Sequence, residues 1–141
     1  MGFRSWLLII LALIVIVLVG DWIMSSAHLN QIEIETTVDP PNVIADGFHK
    51  SVITIRITEN GQPRVGDLVN IFMITGSGRI LPGWAYTDNE GMIVTEFTPN
   101  VYSPYDPIDG AEVQIQDVSI GRLVEVGKVK VINIPLDKPT K

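Results

Sequence analysis

The sequence predicts an all-β domain, a sandwich of about seven antiparallel strands, preceded by one N-terminal hydrophobic α-helix. Three observations carry that expectation. Residues 6–20 read WLLIILALIVIVLVG, with no charged or polar side chain. From Gln31 the apolar pattern changes from continuous to a period of two, that of half-buried strands. Between the alternating runs, Gly, Pro, Asn and Asp recur at the short spacings turns require.

The helix comes first. The 15 residues of the apolar run span about 22 Å at a rise of about 1.5 Å per residue. Extended over residues 3–24 it has 22 residues and reaches about 33 Å, enough for a hydrocarbon core of about 30 Å. Trp6, Leu7 and Leu8 open this membrane helix and Trp22 closes it, so both tryptophans sit where interfacial aromatics collect. Arg4 precedes the run and Asp21 follows it, which by the positive-inside rule directs everything after Met24 out of the cytoplasm. A cleaved signal peptide is the rival reading, with Arg4 as its charged region and Ser25-Ser26-Ala27 as its cleavage site. Both readings leave the remainder extracytoplasmic. A third is a filament-core helix like that of type IV pilin-like proteins, processed at Gly2-Phe3, although Leu7 stands where such a helix carries glutamate. N-myristoylation is disfavoured, because Trp6 occupies the position that needs Ser or Thr.

The strands follow in order. Ile32 and Ile34 alternate with Glu33 and Glu35, and Ile53, Ile55 and Ile57 with Thr54, Arg56 and Thr58. Val113 and Ile115 alternate with Glu112, Gln114 and Gln116, and Val129 and Val131 with Lys128 and Lys130. Residues 68–75, LVNIFMIT, are nearly all apolar and suit a central strand covered on both faces. Trp84 and Tyr86 flank Ala85 and are expected to pack in the core and across strands rather than to form a sugar platform. Asp39-Pro40-Pro41 ends the first strand, since proline cannot donate to a ladder. Asp46-Gly47, Asn60-Gly61, Gly76-Ser77-Gly78, Pro82-Gly83, Asn89-Glu90-Gly91 and Asp109-Gly110 supply the later turns. In the loop around Asn60-Gly61, Pro63 and Gly66 are explained by backbone geometry, which leaves that loop without chemistry. The expected division is a helix at 1–27, a sandwich at 28–134 and a polar tail at 135–141, with no internal repeat.

Three turn motifs in sequence carry a resemblance: Ala45-Asp46-Gly47, Asn60-Gly61-Gln62-Pro63-Arg64-Val65-Gly66 and Thr87-Asp88-Asn89-Glu90-Gly91, each followed by a strand. Over about residues 32–97 the chain resembles the bacterial immunoglobulin-like domain, group 1, of the intimin and invasin adhesins. The resemblance implies an immunoglobulin-like β-sandwich at the cell surface, in an adhesive or spacer role. Adhesins of that family carry such domains in tandem. Here one domain follows one apolar helix, so a spacer array is not implied. The segment Tyr102-Ser103-Pro104-Tyr105-Asp106-Pro107-Ile108-Asp109-Gly110 is also longer and richer in proline and tyrosine than the family's connection.

Composition removes several function classes. The net charge is -6, and from Ser25 onward 9 Lys+Arg face 15 Asp+Glu, which argues against nucleic-acid binding. There is no cysteine, hence no disulfide, thiolate metal site, cysteine nucleophile or lipoprotein anchor. His28 and His49 stand apart, and Gly76-Ser77-Gly78 lacks the strand-to-helix setting of a nucleophile elbow, so an enzyme is not expected. No cofactor is implied. Asp88, Asn89, Glu90, Asp106 and Asp109 read as turn caps, because neither loop offers the six to eight oxygens calcium takes. Tyr102 and Tyr105 form the candidate contact loop, since tyrosines are amphipathic anchors and the prolines limit the ordering cost. The function these features predict is a non-enzymatic, extracytoplasmic structural or interaction subunit of a cell-envelope or surface assembly, adhesin-like or filament-forming. Its partners are the membrane, through the helix, and proteins or copies of itself. The alternative is a monomeric surface module for a ligand or polysaccharide.

Overall fold

The computed structural model describes residues 3–121, 123 and 126–140. Gly2 and the side chain of Arg4, on which the processing and charge arguments turn, lie outside the described set. Helix α1 (Phe3–His28) runs through the apolar segment and ends in a 3-10 turn (Leu29–Gln31). Ten strands follow: β1 (Ile32–Asp39), β2 (Val43–Ile44), β3 (Ser51–Glu59), β4 (Gln62–Pro63), β5 (Leu68–Thr75), β6 (Gly78–Leu81), β7 (Trp84–Tyr86), β8 (Met92–Pro99), β9 (Gly110–Asp117) and β10 (Lys128–Asp137). Three of them, β2, β4 and β7, are pairings of two or three residues, and β1, β3, β5, β9 and β10 are the strands the apolar patterns predict.

The strands form two sheets. The first has the order β1-β3-β8-β6, with β4 on β3; the second has the order β2-β10-β9-β5-β7. All pairings are antiparallel except that of β2 with β10. The inward residues are those the alternation selects: Ile32, Ile34, Ile53, Ile55, Ile57, Ile93 and Phe97 from the first sheet, and Val69, Ile71, Val113, Ile115 and Ile134 from the second. At about 25 cal/mol per Å² of apolar surface removed from water, this layer is the main source of stability.

Residues 78–86 descend as one line that changes sheets at Pro82-Gly83, β6 pairing with β8 and β7 with β5. The crossover is held from both sheets: Thr95 Oγ1 donates to the Pro82 carbonyl at 2.7 Å and the Ile71 amide donates to the Gly83 carbonyl at 2.8 Å.

Four expectations are corrected. Strand β5 is central, between β9 and β7, but covered on one face only, so Phe72 and Ile74 are exposed. On β7, Ala85 packs on the core while Trp84 and Tyr86 point outward, 61% and 63% exposed, and meet edge to face with centroids 6.3 Å apart. On β10 the alternation is inverted at its start. Val129 and Val131 face solvent, whereas Lys128 Nζ and Lys130 Nζ reach across to the carbonyls of Leu29 and Ile34, each at 2.8 Å. Lys130 thereby occupies a carbonyl on the edge of β1, which hinders strand addition there. Finally, β10 continues to Asp137, with Leu136 and Asp137 paired to Val43 and Ile44, so residues 135–137 of the expected tail belong to the sheet.

Candidate functional site

The sandwich has two ends. The start of β1, the end of β3 and the loop after β9 lie beside α1. The segment after β1, the turn after β5 and the loop 100–109 lie at the far end.

Trp6, Leu7, Leu8 and Trp22 are all exposed, as is nearly every apolar side chain of α1. A helix apolar on every side has no preferred face to lay on a sandwich and requires an apolar surrounding. By length and composition it can cross a membrane. Its last turns are docked. Ser25 is buried, Asp21 Oδ2 accepts from the Leu123 amide at 2.9 Å, and His28 Nδ1 lies 3.0 Å from Glu59 Oε1.

Next to this junction Arg64 gathers three carboxylates. Its Nη1 donates to Glu59 at 2.6 Å, its Nε bonds to Asp67, and Asp117 Oδ2 is 3.7 Å from Nε. Asp117 is wholly buried; its Oδ1 accepts from the Ser119 amide at 2.9 Å, while Oδ2 has no hydrogen-bond partner among the described residues. Burial pushes the Asp117 carboxyl up to about 6, opposed by the Ser119 bond and reinforced by the Asp67 charge. The hydrogen bond with His28 holds Glu59 below the ordinary carboxylate range. The loop after β3, expected only to turn the chain, does more: Arg64 fixes the base of the sandwich next to the helix. Thr87 completes the frame, accepting from the Asp67 amide at 2.9 Å and donating to the Arg64 carbonyl at 2.6 Å.

At the far end the two tyrosines of the candidate contact loop separate. The Tyr102 amide donates to the Ala45 carbonyl at 2.8 Å, and Lys138 Nζ sits 5.2 Å from the ring centroid, so Tyr102 fastens the loop down. Tyr105 rides a tight turn closed by the Asp106 amide on the Ser103 carbonyl at 3.2 Å and is 97% exposed. Phe48, 84% exposed, follows the Asp46-Gly47 turn, where a Cβ on Gly47 would lie 3.2 Å from Val101 Cγ2. Asp46 Oδ1 accepts from the amides of His49 and Phe48, both at 2.9 Å, and these bonds, the His49 amide first, draw its carboxyl down to about 2. Sequence reading missed Phe48, although a phenylalanine inside a polar turn is itself a signal. Phe48, Val101 and Tyr105 are exposed apolar side chains at the far end, its tip.

The histidines are engaged locally, His49 Nδ1 lying 2.6 Å from Asp46 Oδ2. Asp88 Oδ1 accepts from the amides of Glu90 and Met92, both at 2.8 Å, which is turn capping. Among the described residues, no group of three or more His, Cys, Asp or Glu is placed to hold a metal.

No family model and no curated protein matches the chain. Solved structures do. The D00-D0 domains of intimin match with a TM-score of 0.53 at 14% identity, over 71% of this chain and 45% of that one. A C-terminal 282-residue intimin fragment, in complex with the intimin-binding domain of the translocated intimin receptor, matches with 0.55 at 15% identity, over 74% of this chain and 32% of that one. The D0-D1 domains of intimin match with 0.50 at 14% identity, over 75% and 49%. At these identities the likeness shows the fold, an immunoglobulin-like sandwich of the intimin kind. The chain spans about a third to a half of the length of these structures.

Proposed function

We propose that this chain is a non-enzymatic, extracytoplasmic interaction module, one group 1 bacterial immunoglobulin-like domain held to a membrane by α1 and offering its far end to a protein partner. The observation that carries this reading is polarity: the apolar helix and the Phe48–Val101–Tyr105 tip occupy opposite ends of one sandwich. Large aromatics held on short, hydrogen-bonded turns lose little freedom on binding, as contact residues need. The intimin fragment bound to a receptor domain supports a protein as partner class. The docked last turns of α1 favour a retained anchor over a discarded leader, since cleavage after Ala27 removes Asp21 and Ser25 from the junction.

Two measurements test it. The mass of the mature chain from membranes must include residues 3–24; a chain beginning near His28 in the soluble fraction overturns the anchor. A photo-crosslinking residue at position 105 must give a discrete protein adduct in cells, while one at Arg56, on the outer face of the first sheet, gives none. Equal labelling at both positions overturns the far-end contact.

A further inference from the structure

The outer face of the second sheet differs from the rest of the surface. Register sets its side chains in rows, Trp84, Asn70, Gln116 and Val129 across four strands, then Phe72, Gln114 and Val131 across three. Trp84, Phe72, Val129 and Val131 are exposed, and Tyr86 extends the patch. None of these residues is charged. The carboxylates of this face, Glu112 and Asp137, lie toward the far end and are engaged by Thr75 Oγ1 at 3.2 Å and by Asn42 Nδ2. The first sheet's outer face is instead charged, carrying Glu33, Glu35, Arg56 and Glu96.

In a chain of net charge -6, the described residues of this sheet face let two copies meet without opposing like charges. A twofold interface must be complementary to itself. The amides of Asn70, Gln114 and Gln116 each carry a donor and an acceptor, so these rows satisfy their own copies, and the flanking aromatic and valine side chains do the same by apolar contact. The strands run from the helix end to the far end. A twofold axis along the membrane normal therefore brings two such faces together with both helices on one side.

We infer that this face pairs with the same face of a second copy of the chain, side by side in the membrane. The inference rests on α1 being an anchor. Four strands about 4.8 Å apart and about six residues long present roughly 400 Å² per copy, about 800 Å² in the pair. That is below the roughly 1,200 Å² of stable interfaces, so the pair depends on the effective concentration that a shared membrane supplies.

The absence of cysteine makes one engineered thiol a clean reporter. In membranes holding the full chain, Gln114→Cys, at mid-face, forms a disulfide dimer at least about tenfold faster than Val94→Cys on the opposite outer face, because only the first is held beside its copy. Adding the exposed change Val131→Glu to Gln114→Cys returns the rate to that of Val94→Cys while the melting temperature stays put. Equal rates overturn the pairing, as does a Gln114→Cys dimer indifferent to Val131→Glu. So does shielding of Gln114→Cys from a maleimide without a dimer, which assigns the face to another partner. Fractionation reads the anchor separately. If the chain leaves the membrane, the anchor reading fails, and the same two rates on concentrated, purified full chain decide the face alone.

Discussion

Replacing Arg64 by methionine keeps much of the side chain's apolar stem and removes the charge that three carboxylates share. At an effective dielectric constant near 20, unit charges about 4 Å apart interact by about 4 kcal/mol, and Asp117, at 3.7 Å from Nε, is the buried member of the set. The cost of burying the guanidinium opposes this. Losing one partner of a buried pair costs about 3–5 kcal/mol, and the partial exposure of Glu59 lowers the expectation here to about 2–3 kcal/mol at pH 7. For a domain of this size that is a fall of about 10 °C in melting temperature. The pH dependence separates this cause from lost packing. Asp117 titrates near 6, so at pH 5 it is largely protonated and its repulsion with Asp67 is relieved. Thermal melts of the full chain in micelles, followed by the β-sheet circular dichroism signal, must therefore show a smaller deficit for Arg64→Met at pH 5 than at pH 7. An equal deficit at both pH values, or a variant melting within a degree of the parent at pH 7, refutes the reasoning.

Three further outcomes are expected. Because Asp117 is raised, its contribution is full below about 4 and lost as pH rises through about 6, whereas Asp46 and Glu59 are lowered and lose theirs as pH falls; a melting-temperature profile peaks near pH 4–5, and Asp117→Asn flattens its alkaline side. Gly91→Ala places a Cβ 2.6 Å from the Ile57 carbonyl at a φ of +73°, while Gly61→Ala at +79° meets nothing within 4 Å; urea midpoints should show the first costing about 2–4 kcal/mol and the second about 1–2 kcal/mol. Thr87→Val keeps the shape but strands the Asp67 amide and the Arg64 carbonyl, and by the same assay costs about 1–3 kcal/mol.

The strands and turns were legible because period-two alternation and Gly, Pro and Asx punctuation are local. Asn60-Gly61 is a turn tip with both residues at positive φ, and the isoleucines of β1 and β3 face inward as their spacing requires. What alternation cannot say is which face is inside. Lys128 and Lys130 point in because the 3-10 turn and β1 offer them carbonyls to cap, a fact about a segment about 100 residues earlier in the chain. The outward turn of Trp84 and Tyr86 has a like origin, since the change of sheets at Pro82-Gly83 sets the phase of β7. Arg64 looked like a polar loop residue because its buried partner Asp117 reaches it only when β5 and β9 pair. At the far end the sequence drew attention to both tyrosines; folding keeps Tyr105 free and commits Tyr102 to the scaffold.

The parallel pairing of β2 with β10 has a mechanical meaning. In the anchored arrangement proposed above, a pull on α1 against a held far end draws β1 and the attached β2 toward the helix end, along the strand axes. The eight residue pairs of β1 with β3, and the short β2–β10 ladder with its Ala45 amide to Asp137 carbonyl bond at 2.9 Å, are then loaded in shear. Bonds loaded this way share the force and fail together, unlike a hairpin peeled open one rung at a time. The strand order thus sets these ladders to resist force along the line from α1 to the far end.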